Sequence, residues 1–149
     1  CGKSTVGRLL AEKTGREFYD IDTEIVKQAG MEITEIFETR GEKAFRDMET
    51  ETAKRLSTLS GVVISCGGGT VLRDENVNAL RRNGVICFID RPLNELIPTE
   101  DRPLALSKAD IEKRYNERID RYISTCHIRI PVEGDANSVA QKIGKEFLN

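Results

Sequence analysis

The sequence predicts an α/β fold, a three-layer α/β/α sandwich of helices around a parallel sheet. Two observations carry that prediction. GVVIS at 61–65 and GVICFI at 84–89 are short, rich in β-branched residues and almost free of charge, as strands buried on both faces are. Longer segments with helical spacing lie between and around them, so strands alternate with helices along the chain. No repeat, low-complexity tract or Pro/Gly-rich linker interrupts this order, and 149 residues suffice for one domain, 1–149, with a real core.

Residues 3–14, KSTVGRLLAEKT, place Val6, Leu9, Leu10 and Lys13 at helical spacing, and Gly15 is the stop. EFYDID at 17–22 reads as a short strand. DTEIVKQAG at 22–30 and the segment 33–39 read as two short helices, and 42–59 as a longer one. Residues 75–82 form the crossover helix between the two apolar strands. Residues 108–124 make a long charged helix with Ile111, Tyr115, Ile119 and Tyr122 along one side. CHIRI at 126–130 is the last strand, and 137–148 the closing helix.

Composition narrows the function. Charged residues make up 32% of the chain, with 23 basic against 25 acidic side chains and a net charge of -2. That balance argues against nucleic acid as a partner, because binding a phosphate backbone needs a surplus of Lys and Arg. It leaves room for small anionic substrates, which need only a few well-placed arginines. No run reaches the ~18 to 20 apolar residues that span a bilayer, and no signal peptide is evident, so no membrane partner and a cytoplasmic location are expected. Cys1, Cys66, Cys87 and Cys126 are widely spaced and without a CxxC pair, which suits reduced thiols packed as small apolar groups. His127, the sole histidine, sits in an alternating strand pattern and reads as structural.

The chain opens Cys1-Gly2-Lys3-Ser4-Thr5 and passes straight into a helix. G-K-[ST] at a helix start is the back half of the G-x-x-x-x-G-K-[ST] phosphate loop. Glycine leaves backbone N–H groups free to wrap phosphate oxygens, and the helix N-terminus adds partial positive charge. The lysine reaches the outer phosphates and the hydroxyl completes a magnesium shell. The first glycine of that loop and its preceding strand are not in the sequence, so the expectation is an N-terminally truncated domain whose first, central strand is missing.

Asp20 and Asp22 form a D-x-D at a strand end, a pair able to hold magnesium and orient a hydroxyl; the alternative for Asp22 is a helix N-cap. Gly67, Gly68 and Gly69 follow the GVVIS strand, where parallel sheets bind ligands and where glycines let a ligand approach the backbone; a plain flexible turn is the alternative. Arg46 and Glu49 stand at i and i+3, so the carboxylate can hold the guanidinium. Arg118 lies in NERIDRY between Arg114 and Arg121. Arg102 falls in EDRPLALSK, which Pro98 and Pro103 bar from regular helix, as suits a mobile lid.

Taken in order, GKST, FYDID, FETRGEKAFRDMET, SCGGGTV, DRPL and NERIDRY resemble the shikimate kinases, over essentially the whole chain. That family's fold is P-loop, nucleoside-monophosphate-kinase-like. The resemblance implies transfer of the ATP γ-phosphoryl group to the 3-hydroxyl of shikimate, on the route to chorismate and the aromatic amino acids. It implies Gly2, Lys3, Ser4 and Thr5 at the nucleotide phosphates, one Mg2+ per subunit at Ser4 with Asp20 behind it, and Asp22 as the group that orients or deprotonates the hydroxyl. Arg46 and Arg118 would grip the shikimate carboxylate, planar fork to planar anion, with Gly67, Gly68 and Gly69 at the substrate. Arg102, on a lid over 97–108, would stabilise the transferring group, and residues 22–50 would form the acceptor-binding region. Pro98 stands where the family often has an arginine against adenine, which shifts the expected adenine contact to the loop at Asp135, Ala136 and Asn137. A monomer is expected. The alternatives are a related kinase acting on another acid such as gluconate, and a noncatalytic shikimate-binding regulatory domain.

Overall fold

The computed structural model describes residues 3–91 and 107–147. Helix α1 (Lys3–Thr14) leads to strand β1 (Glu17–Asp20), helix α2 (Ile21–Ala29) and the long α3 (Ile33–Leu56). Strand β2 (Val62–Ser65) runs into the glycine loop and a 3-10 turn (Thr70–Leu72). Helix α4 (Asp74–Arg82), strand β3 (Cys87–Asp90), helix α5 (Lys108–Thr125), strand β4 (Ile128–Pro131) and helix α6 (Ala136–Phe147) complete the order.

The strands form two parallel pairs. Glu17 to Asp20 stand opposite Val62 to Ser65, and Cys87 to Asp90 opposite Ile128 to Pro131. Among the described residues the two pairs are not hydrogen-bonded to each other. A cavity of about 860 Å3 is lined by both β2 and β3. It runs to the carboxyl ends of the strands, where parallel sheets take their ligands.

Two apolar clusters flank it. Val6, Leu10, Ile130, Val139, Ala140 and Ile143 join α1, β4 and α6. Ile21, Ile25, Ile36, Phe45, Ala53 and Leu56 join α2 and α3. The order of elements drawn from sequence holds, while the strands expected over 84–89 and 126–130 shorten to Cys87–Asp90 and Ile128–Pro131, the helix expected to reach 59 ends at Leu56, and two boundaries change in kind. EFYDID stops being a strand at Asp20, because Ile21 has an apolar slot to fill from the first turn of α2, where it is fully buried. The two helices expected over 33–39 and 42–59 abut as α3 across a kink at Gly41, whose φ of 86° and ψ of 168° are not helical. A positive φ costs a side-chain-free residue little, and beyond the kink Phe45, Arg46 and Glu49 line the cavity. Among the described residues, no helix is long and apolar enough to cross a membrane.

Candidate active site

The first turn of α1 places Lys3, Ser4 and Thr5 on the cavity wall. The helix end brings partial positive charge to the same place. Ser4 Oγ donates to Asp20 Oδ2 at 2.6 Å and lies 3.4 Å from Ser65 Oγ. Asp20 therefore does two jobs, since its Oδ1 accepts the Thr23 N–H at 3.1 Å as the N-cap of α2. The sequence left open whether Asp22 was the cap. Asp20 is the cap, and that leaves Asp22, one position into α2, to line the cavity.

Asp22 stands among charges of both signs. Desolvation by burial, then the carboxylates of Asp20 and Glu49, raise its pKa, while Lys3 and Arg46 pull it down. The outcome is a carboxyl group pushed up to about 6. A carboxylate near neutrality is suited to taking a proton from a hydroxyl. Burial also pushes the Cys66 thiol up to about 12, which leaves it an inert apolar group beside the site.

The wall made by α3 carries Arg46. Its Nη1 donates to Glu49 Oε1 at 3.0 Å and its Nε lies 3.5 Å from Glu42 Oε2. Glu49 is 1% exposed and Arg46 13%, so this is a buried pair with one partner edging into the cavity. The Arg46 guanidinium also lies over the Phe45 ring at 5.3 Å. Phe45 in turn packs on Phe37 with ring centroids 4.9 Å apart, and both line the cavity as an apolar floor.

The three glycines face five side chains of the site. A methyl group on Gly67 would come within 3.2 Å of Asp22 Oδ1 and 3.4 Å of Glu49 Oε2. On Gly68 it would meet Arg118 Nη1 and Tyr122 Oη, each at 3.3 Å, and on Gly69 it would collide with the Arg46 guanidinium. The loop is therefore a close backbone approach and not a plain flexible turn. Helix α5 is pinned to the same loop. Tyr122 Oη donates to Gly68 O at 2.7 Å, Arg121 Nε donates to Val71 O at 2.6 Å, and Arg121 pairs with Asp74. Arg118, one turn before Tyr122, lines the cavity and makes no ion pair among the described residues.

The structure thus brings Lys3, Ser4, Thr5, Asp20, Asp22, Arg46, Gly67, Gly68, Gly69 and Arg118 to one cavity. Ala136 is not brought there; it opens α6 and packs against the apolar cluster of α1 and β4. Gly2, Arg102 and most of the expected lid, 97–106, lie outside the described residues. Thr70, Tyr122, Phe37 and Phe45 border the site without having been singled out from sequence. For Tyr122 a signal existed, since it follows Arg118 by one helical turn. Thr70 immediately follows the triple glycine.

Ser4 and Asp20 offer a hydroxyl and a carboxylate, hard oxygen donors of the kind magnesium takes. Among the described residues no cluster of three or more ligand-type side chains could hold a metal by itself. The donor set fits an ion held largely by phosphate oxygens and water.

A phosphate-binding helix start facing an arginine-lined pocket across a carboxylate of raised pKa defines a kinase for a small anionic acceptor. Comparison with known proteins narrows this class. The family model for shikimate kinase matches residues 1–148. The chain is 42% identical to a shikimate kinase of Caldicellulosiruptor bescii, over 87% of this chain and 73% of that one. It is 40% identical to one from Clostridium botulinum, over 100% and 92%. Among solved structures, a shikimate kinase of Acinetobacter baumannii in complex with shikimate superposes with a TM-score of 0.92, at 33% identity over 99% of this chain and 87% of that one. That of Aquifex aeolicus gives 0.83, at 35% identity over 99% and 94%. The chain belongs to the shikimate kinase family, whose members are ATP-dependent kinases.

Proposed function

We propose that this chain transfers the γ-phosphoryl group of ATP to the 3-hydroxyl of shikimate with Asp22 as the group that orients and deprotonates the attacking hydroxyl. The observation that carries the assignment is the position of Asp22, within electrostatic reach of both Lys3 and Arg46 and with its pKa raised to about 6. Lys3 and the N–H groups at the start of α1 hold the outer phosphates. Arg46 and Arg118 take the carboxylate of the acceptor, and the backbone of Gly67, Gly68 and Gly69 lets the ring lie close. The apolar floor of Phe37 and Phe45 supports that reading, since it offers an unsubstituted ring face a surface to lie on.

The chemistry asks little covalent work of the protein, so positioning and charge supply most of the rate. Magnesium, one per subunit at Ser4 with Asp20 behind it, would neutralise phosphate charge when bound. Arg102, on a lid over 97–108, would add positive charge to the transferring group and exclude water, which competes for the phosphoryl group. The scheme is written for a monomer. Among the described residues Cys66, Cys87 and Cys126 are free thiols, which fits a reducing cytoplasm.

ADP release measured with ATP and a panel of hydroxy acids tests the assignment. Shikimate is expected to be the accepted substrate. Phosphorylation of gluconate but not shikimate would overturn it, and shikimate binding without ADP release would reduce the chain to a sensor.

A further inference from the structure

Glu49 is 1% exposed, so its carboxylate depends on protein donors for both oxygens. Oε1 accepts from Arg46 Nη1 and Oε2 accepts from Thr70 Oγ1, each at 3.0 Å. Thr70 is itself fully buried, and its one hydroxyl proton goes to Glu49. The backbone that aims this hydroxyl is held at both ends. Thr70 N donates to Gly67 O at 3.2 Å, and Thr70 O accepts from Nδ2 of the fully buried Asn76 at 2.9 Å.

We propose that Thr70 is a positioning residue for the acceptor: its hydroxyl occupies one oxygen of Glu49 and so keeps the Glu49–Arg46 pair single-pronged. The inference rests on the reading that Arg46 grips the acceptor carboxylate. A buried carboxylate missing one donor does not stay as it was, since an unpaired oxygen is costly there. Arg46 already donates to the other oxygen of that carboxylate, and a guanidinium and a carboxylate readily close into a two-pronged fork. With Nε beside Glu42 and Nη1 on Glu49, Nη2 has no partner among the described residues. A forked Glu49 would take that arm, and the acceptor would lose it. Gly69 backs Arg46 directly and Thr70 holds it through Glu49, so two consecutive residues fix one guanidinium.

The test is Thr70→Val, which keeps the shape and removes the hydroxyl, beside Thr70→Ser, which keeps the hydroxyl. Thr70→Val should raise the KM for shikimate about tenfold, while kcat and the KM for ATP stay within about twofold. Thr70→Ser should restore the wild-type KM. In a Glu49→Gln background the effect of Thr70→Val should shrink, since the residue acts through that carboxylate. A second reading needs no activity. In 15N spectra of the unliganded protein, the Arg46 Nη2 resonance should become resolved and exchange-protected in Thr70→Val, as Glu49 takes the second arm. An unchanged KM with an unchanged Arg46 spectrum overturns the proposal, as does a rise in both KM values that Thr70→Ser fails to repair. A wild-type chain that phosphorylates no shikimate would defeat the functional reading alone, and the Arg46 spectrum would still decide this one.

Discussion

The two arginine-bearing walls of the cavity are built differently. On the α3 wall, Arg46 is fixed before any ligand arrives, by Glu49, Glu42, the Phe45 ring and the backbone of Gly69. On the α5 wall it is the helix that is fixed, through Tyr122 to Gly68 and Arg121 to Val71, while Arg118 itself makes no ion pair among the described residues. One wall presents a guanidinium held by two carboxylates, the other a guanidinium without an ion pair among the described residues. Ligand binding loses less entropy at the first. The same difference means that damage to the α3 wall leaves a buried charge stranded, whereas damage to the α5 wall removes only a contact.

That contrast orders the expected effects. Arg46→Ala should be the most severe, raising the Kd for shikimate roughly 100-fold or more, since it strips the partner from a buried Glu49 as well as removing the contact. Arg118→Ala should cost about tenfold, as for one hydrogen-bonded charge. Calorimetry on the two variants measures both, and equal losses would break the comparison between the walls. The glycines sharpen it at a smaller scale. Gly69→Ala must displace the held Arg46, and should weaken shikimate binding by roughly tenfold. Gly68→Ala meets only the ends of Arg118 and Tyr122 at 3.3 Å, which can give way, so about threefold is expected. Titration of both variants with shikimate checks the order, and a larger loss at Gly68 would reverse it.

Much of the acceptor side was legible in the sequence because its signals are local. The i, i+3 spacing of Arg46 and Glu49 lies within one helix, and three glycines after an apolar run announce a close approach. Asp20 and Asp22 were legible as a pair but not as individuals: which one caps α2 depends on where β1 ends, and Ile21 decides that by filling a slot in the α2–α3 core. Contacts between distant segments were not legible at all. Thr70 meets Glu49 across 21 residues and Tyr122 meets Gly68 across 54, and no periodicity within either segment marks such a meeting. Ala136 was expected near adenine from the family resemblance alone, and in the structure it packs against the cluster of α1, β4 and α6.

The placement of Asp22 between the phosphate end and the arginine walls is tested most directly by the pH dependence of kcat/KM for shikimate. As the proton acceptor, Asp22 must be ionised, and its carboxyl is held up to about 6 by burial and by Asp20 and Glu49. Activity should therefore be full above that pH and fall about tenfold per unit below it, with the slope of a single proton. A profile that stays flat from pH 7 down through pH 5 would contradict the assignment of Asp22 and the geometry built around it.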